Sequence, residues 1–158
     1  MGIRKLTSIF LINICILFNY SCQKKGCTDP TSDNFGSEAE KDDDSCNDPR
    51  NKFAGSYNAI GDAIVNYPLA ISKSSVETRV VLINSNFGLR DSGENLVPAF
   101  NLNANISKST ITIPSQLVPS VSTTFSGSGT INGNIINFQY SATTSSGNES
   151  YSVVATKL

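Results

Sequence analysis

Histidine and tryptophan are absent from this 158-residue sequence, and charged residues make up only 16 % of it. Without histidine the chain lacks the commonest general base and the commonest metal ligand of proteins. No Ser-His-Asp or Cys-His arrangement can form. The formal net charge is -1, which gives no electrostatic case for nucleic acid as a partner. The length suits one domain with a core of moderate size.

Long hydrophobic runs are also missing. Residues 9–18 form an apolar stretch of ten residues, whereas a helix needs about 20 to span a bilayer. Arg4 and Lys5 precede the stretch, and the small residue Ser21 follows it. This order is typical of a secretory signal peptide, which we predict over residues 1–21.

Residues 19–22, Asn-Tyr-Ser-Cys, resemble the lipobox of bacterial lipoproteins in the loose form found in Bacteroidota, with Asn19 where Leu is usual. The resemblance implies that Cys22 carries acyl chains such as palmitate and becomes the first residue of the mature chain. Several acyl chains anchor stably where one is marginal. The expected location is the outer membrane, and both its periplasmic face and its cell-surface face remain as alternatives. The alternative is an ordinary secreted protein with Cys22 as a spare thiol.

The lipoprotein interpretation accounts for all four cysteines. Cys15 lies in the predicted signal peptide and Cys22 carries lipid, so Cys27 and Cys46 remain as a pair. Export permits a disulfide between them. The bridge would close a loop of about 20 residues and contribute about 3 kcal/mol in the chain-entropy model.

The segment between these two cysteines resembles a motif of Bacteroidota exported proteins, CTDPxAxNYxPxAxxDDGSC. The matching positions are Cys27, Thr28, Asp29, Pro30, Asn34, Phe35, Ala39, Asp42, Asp43, Ser45 and Cys46. The departures are Ser32, Ser37 and Asp44, which affect the turns rather than the bridge. The segment has few apolar residues and needs its disulfide. We therefore expect an irregular, acidic, disulfide-stapled linker over residues 22–52.

Carboxylates in this linker suggest a calcium site. Their hard oxygens are the ligands that Ca²⁺ prefers. The candidate ligands are Asp29, Asp33, Asp42, Asp43 and Asp44. Their spacing is not that of an EF-hand loop, and the alternative is a solvated acidic turn. No other cofactor is expected.

Residues 53–158 have the composition of an all-β domain. Ser, Thr and Asn account for 39 of these 106 residues, and these residue types favour turns, caps and strands over helices. Apolar residues alternate with polar ones, for example between Phe100 and Ile106 and between Ile136 and Ala142. The Asn132-Gly133 pair predicts a hairpin turn. We expect eight strands, near residues 53–60, 67–74, 77–85, 96–106, 110–114, 121–131, 134–143 and 149–157.

Two architectures fit eight antiparallel strands with short connections: an up-and-down barrel and a two-sheet β-sandwich. Residues 53–57, Phe-Ala-Gly-Ser-Tyr, resemble the opening of lipocalin-like strands, although the usual Trp is missing. This resemblance favours the barrel. Gly127 and Gly129 then either kink a strand for curvature or leave room for a ligand.

Catalytic groups are scarce, so we predict no catalytic residue and no enzyme. Asp91 and Glu94 lie in one turn rather than across a cleft, as a glycosidase requires. Phe87, in a loop, is the aromatic we expect to be exposed for a sugar or protein contact. The sequence predicts a lipid-anchored protein that binds a small apolar ligand, a glycan or an envelope protein. The alternative is a structural accessory subunit. A filled core with an exposed apolar patch would favour the subunit role, whereas a wide internal cavity would favour ligand binding.

Overall fold

The computed structural model describes residues 23–61 and 64–158, and for residues 64 and 65 the backbone alone. The predicted signal peptide and the predicted lipidation site Cys22 therefore lie outside the described residues. Within the described ranges no helix is long and apolar enough to cross a membrane. The chain divides into two compact units.

The first unit contains residues 23–30 and Asn34–Cys46. Its regular structure is a two-stranded parallel ladder of β1, Lys25–Gly26, and β2, Lys41–Asp42. Cys27 and Cys46 form a disulfide with an S–S distance of 2.03 Å, which confirms the predicted pairing. The remainder is turns, as expected for an irregular segment with few apolar residues.

The second unit contains Thr31–Asp33 and Asn47–Leu158. A one-turn helix, α1, spans Arg50–Phe53, and a 3-10 turn spans Pro119–Val121. The eight long strands are β3 Gly55–Gly61, β4 Ile64–Lys73, β5 Val80–Ser85, β6 Phe100–Ser107, β7 Thr110–Val118, β8 Thr123–Asn132, β9 Ile135–Thr144 and β10 Gly147–Lys157. Each strand pairs antiparallel with the next, and β10 pairs with β3 to close a barrel. The predicted all-β, up-and-down barrel is confirmed, and the β-sandwich alternative is wrong.

The alternating residues point to opposite faces of the sheet. On β6 the side chains of Phe100, Leu102, Ala104 and Ile106 are buried, whereas the residues between them are exposed. The same rule places Ile136, Phe138, Tyr140 and Ala142 of β9 inside. Because side chains alternate every residue, the polar Ser, Thr and Asn residues that separate them cover the outer face.

The β8–β9 hairpin differs from its prediction by one residue. Asn132 pairs with Ile135, so the turn residues are Gly133 and Asn134 rather than Asn132 and Gly133. Gly133 alone of these has a positive φ, of 58°. The core decides this register: Ile131 pairs with Ile136 and both are buried, whereas a slip by one residue would turn one of the strands inside out.

Helix α1 lies at one end of the barrel. Its Phe53 is fully buried, and its Arg50 makes a two-pronged ion pair with Asp48 at 2.9–3.0 Å. Arg50 Nη1 also donates to the Glu77 carbonyl at 2.8 Å, which ties the helix to the connection between β4 and β5. Burial raises the pKa of Asp48, but its hydrogen bonds from Arg50 and Lys73 outweigh this and leave the pKa below its usual value. The buried Phe53 and the Arg50 hydrogen bonds hold α1 at this end of the barrel.

Gly127 and Gly129 allow close approach of β8 and β9. A Cβ atom at Gly127 would lie 2.5 Å from the Gln139 carbonyl oxygen and 2.7 Å from Tyr140 Cα. At Gly129 it would lie 2.8 Å from the Asn137 carbonyl oxygen. Neighbouring backbone fills the space that the missing side chains leave, so these glycines serve the curvature of the sheet rather than a ligand.

Candidate ligand site at the open end of the barrel

The barrel end opposite α1 carries a cavity of about 330 Å³. Four of its lining residues are aromatic: Tyr67, Phe87, Tyr140 and Tyr151. Arg90 and Glu149, one charge of each sign, are exposed at its rim. The connection between β5 and β6, residues 86–99, contributes Phe87 and Arg90 and is long for a hairpin loop.

Aromatic rings fill the barrel below this cavity. Phe87 lies with its ring centroid 5.7 Å from Phe100, 5.7 Å from Phe125 and 5.2 Å from Tyr140. Tyr140 stacks on Tyr151 at 5.1 Å. The spacings are those of favourable ring pairs. The interior is therefore packed, and the free space lies at the mouth.

Phe87 corrects a prediction from the sequence. It was expected to be an exposed loop aromatic, but only 4 % of it is exposed, because the turn that carries it bends into the barrel. The buried Ser85 Oγ accepts the Phe87 N–H at 3.1 Å, and Tyr140 Oη donates to the Phe87 carbonyl at 3.1 Å. Phe87 has φ 50° and Gly88 has φ 70°. The Phe-Gly pair is the only hint of this turn in the sequence.

Tyr67 and Tyr57 are both buried tyrosines, but their hydroxyl groups differ. Tyr57 is 1 % exposed, and its hydroxyl donates to the Phe53 carbonyl at 2.7 Å. Tyr67 is 2 % exposed, and its hydroxyl has no hydrogen-bond partner among the described residues. The Tyr140 side chain acts to lower the pKa of Tyr67, and its hydroxyl donates to the Phe87 carbonyl. Burial dominates and raises the pKa of Tyr67 and of Tyr57 to about 12.

The unpaired hydroxyl predicts opposite effects for two conservative changes. Tyr67→Phe removes a buried polar group that lacks a partner and is expected to stabilise the ligand-free protein by about 1 kcal/mol. Tyr57→Phe leaves the Phe53 carbonyl without its donor and is expected to destabilise by a similar amount. Urea unfolding followed by circular dichroism measures both. Equal losses in the two variants would mean that Tyr67 is hydrogen-bonded in solution.

The rim charges are held by local contacts. Tyr151 Oη donates to Glu149, and this hydrogen bond, together with burial, raises the pKa of Tyr151 to about 12. Arg90 Nη1 donates to the Glu94 carbonyl. Asp91 accepts the N–H groups of Asn95 and Gly93, which hold the pKa of its carboxyl below the usual value. Asp91 and Glu94 thus shape the tip of one loop, as their positions in the sequence predict.

Three of the five candidate calcium ligands, Asp33, Asp42 and Asp43, make local contacts through their carboxylates. Asp33 belongs to the second unit and pairs with Lys52 at 2.6 Å. Asp42, in the first unit, accepts the Asp44 N–H at 3.0 Å, and Asp43 accepts the Ser45 N–H at 3.1 Å. The Ser45 hydrogen bonds lower the pKa of Asp43. In residues 23–61 and 64–158 no three His, Cys, Asp or Glu side chains are grouped to hold a metal ion. Calcium binding by these five residues, Asp29 included, stays a prediction.

Comparisons with known proteins assign this chain to no family. No family model matches the chain, and no curated protein matches it. A crystal structure of zebrafish ileal bile acid-binding protein complexed with cholic acid is similar to it, at 9 % identity and a TM-score of 0.39. The alignment covers 68 % of this chain and 99 % of that one. At this identity none of that protein's contacts transfer to this chain.

Proposed function

We propose that the barrel binds, without catalysis, a small molecule with an apolar body and one hydrogen-bonding group at its open end. The Tyr67 hydroxyl carries this proposal, because it is buried, lacks a partner among the described residues and belongs to the wall of the cavity. Buried polar groups are nearly always paired, and an unpaired one in a native structure calls for an explanation. A ligand that supplies the partner would recover the lost hydrogen bond.

The lining of the cavity favours an apolar body. Tyrosine and phenylalanine rings form its walls, and its volume of about 330 Å³ lies at the lower end of the usual range for ligand pockets. The two rim charges, Arg90 and Glu149, have opposite signs. The mouth therefore offers neither an anionic nor a cationic ligand a net electrostatic advantage.

The apolar fluorophore N-phenyl-1-naphthylamine, which has a single N–H group, tests this proposal. We expect its fluorescence to rise on titration with the protein. Tyr67→Phe is expected to weaken binding about five-fold, the worth of one hydrogen bond. Tyr57→Phe is the matched control, because it removes a buried hydroxyl that does not line the cavity, and its affinity should equal that of the wild type. Unchanged affinity in Tyr67→Phe would contradict the assignment of the site.

We propose further that the protein is a Bacteroidota-type lipoprotein, anchored to the outer membrane through Cys22. Two sequence resemblances support the proposal: the lipobox at residues 19–22 and the motif that ends at Cys46. The disulfide between Cys27 and Cys46 agrees with the second. The barrel would then work at a membrane surface, where apolar molecules concentrate.

Metabolic labelling with palmitate checks the anchor. We expect the label to enter the wild-type protein and to be lost in Cys22→Ala, which should also appear in the soluble fraction. Cys15→Ala is the control, since that cysteine would leave with the signal peptide, and it should keep the label. Label retained by Cys22→Ala would refute lipidation at this residue.

A structural accessory subunit is the second candidate. The filled interior and a small exposed apolar pair, Ile60 at 52 % and Val154 at 45 %, favour it. These two residues are register partners on the outer face of β3 and β10. Under this alternative Ile60→Lys would release the protein from a larger envelope complex in sedimentation of detergent extracts, and the fluorophore would not bind.

A further inference from the structure

Glu149 is a charged residue at an inner-facing position of the barrel wall. The buried side chains of Val153 and Ala155 on β10 alternate with exposed ones, and Glu149 lies on the same side of the strand as these two. Its register partner on β9 is the buried Ala142. Because Glu149 is near the open end, its exposed carboxylate lines the cavity. The alternation that elsewhere places apolar side chains inside therefore places a negative charge at the mouth.

Each of the two rim charges is held by an uncharged neighbour. The Tyr151 hydroxyl donates to the Glu149 carboxylate. Arg90 Nη1 donates to the Glu94 backbone carbonyl, and the backbone of Arg90 forms an isolated bridge with Leu96. Among the residues that the structure describes, neither Arg90 nor Glu149 belongs to an ion pair. Both groups are therefore oriented at the mouth while their charges are not neutralised by each other.

The mouth thus combines one charge of each sign with an aromatic cavity. An anion would gain at Arg90 and lose at Glu149, and a cation would do the reverse. A ligand that carries an ammonium group and a carboxylate at one end gains at both residues. The shortest compound that joins such a pair of charges to an apolar body is an α-amino acid. The cavity of about 330 Å³ suits one large side chain of this kind rather than a diacyl lipid.

We propose that the ligand is a free aromatic α-amino acid whose carboxylate binds Arg90, whose ammonium group binds Glu149, and whose ring enters the cavity beside Tyr67. This inference rests on the proposed ligand-binding function and names its ligand class. Phe87 and Tyr151 contribute rings to the wall, and aromatic rings pair favourably with one another. A polar atom on the ring of the ligand, such as a phenol oxygen or an indole N–H, supplies the hydrogen-bond partner of the Tyr67 hydroxyl.

Free L-tryptophan is the probe, because the chain contains no tryptophan and the fluorescence of the ligand can be followed alone. Tryptamine lacks the carboxylate, and indole-3-propionate lacks the ammonium group. We expect the wild-type protein to bind each of these two analogues about five-fold more weakly than L-tryptophan, the worth of one well-oriented exposed ion pair. Equal affinities for all three compounds would overturn the inference, since neither rim charge would then contribute to recognition.

Variants that remove one rim charge assign each charge of the ligand to its residue. Arg90→Gln should weaken binding of L-tryptophan about five-fold but should not weaken that of tryptamine, which has no carboxylate. Glu149→Gln should weaken binding of L-tryptophan and tryptamine but not of indole-3-propionate, and glutamine can still accept the Tyr151 hydroxyl. Glu77→Gln and Arg79→Gln make the same charge changes between β4 and β5, at the other end of the barrel, and should leave all three affinities unchanged. Rim variants that bind L-tryptophan as tightly as these controls would contradict the assignment.

The neutral probe N-phenyl-1-naphthylamine separates this inference from the proposed function. Its binding should depend on Tyr67 and not on Arg90 or Glu149, because it carries neither charge. If it binds in this way while L-tryptophan binds no more tightly than its two analogues, the ligand class is wrong and the proposed function stands. If neither compound binds, both the ligand class and the proposed function are wrong.

Discussion

Raising the pH from 10 to 12 is expected to destabilise the barrel by about 4 kcal/mol. Tyr57 and Tyr67 are 1 % and 2 % exposed, and burial raises the pKa of each from 10.0 to about 12. A phenol with a raised pKa contributes stability that is fully present below the pKa of the unfolded chain. That contribution is lost as the pH rises towards the pKa of the folded protein, because the unfolded chain releases its proton first.

Urea midpoints measured between pH 9 and pH 12 check this expectation, with the absorbance of tyrosinate as a parallel record. Tyr57→Phe and Tyr67→Phe should each remove about half of the pH dependence, whatever their effect at neutral pH. Tyr151→Phe is the control. The pKa of Tyr151 is raised first by its hydrogen bond to the exposed Glu149, so solvent screens the effect on stability. A midpoint that stays constant to pH 12 in the wild type would contradict the burial of both hydroxyls.

The barrel was predictable from the sequence because its strands obey a local rule. Between Phe100 and Ile106 every second residue is apolar, and a half-buried strand is the structure that uses this period. The sequence also has short connections that keep neighbouring strands adjacent, which favours the up-and-down order. Closure through β10 and β3 follows from the same alternation where the two strands pair, since Tyr57 and Ala59 of β3 and Val153 and Ala155 of β10 are buried.

The site was harder to predict because it depends on contacts between distant residues. Phe87 looks like an exposed loop aromatic, and only the Ser85 and Tyr140 hydrogen bonds, the second across 53 residues, reveal that it turns inward. Tyr67 is buried, and the lack of a partner for its hydroxyl depends on which groups face it. No local pattern records an unpaired hydroxyl. The hairpin at Gly133 shows the same limit, since the core rather than the turn residues set its register.

Gly127→Ala is expected to cost about 3 kcal/mol of stability, a large effect for the addition of one methyl group. The new Cβ atom would lie 2.5 Å from the Gln139 carbonyl oxygen and 2.7 Å from Tyr140 Cα. These are backbone atoms of β9, paired in the sheet with β8 and β10, so they have little freedom to move away. Separation of β8 from β9 would also displace Tyr140, which lines the cavity and holds the Phe87 carbonyl.

Substitutions at two other glycines, measured by the same urea unfolding, distinguish the cost of steric crowding from the cost of an unfavourable backbone conformation. Gly133→Ala has open space around its Cβ atom but requires φ 58°, so a loss of about 1 kcal/mol is expected. Gly36→Ala makes ordinary contacts at 3.6 Å and should be nearly neutral. Gly133→Asn should recover much of the loss at that turn, because Asn tolerates the left-handed region, whereas no side chain should be tolerated at Gly127. If Gly127→Ala proved as stable as Gly36→Ala, the close approach of β8 to β9 would be wrong, and the space beside Tyr140 would be free to admit a ligand from the side of the barrel.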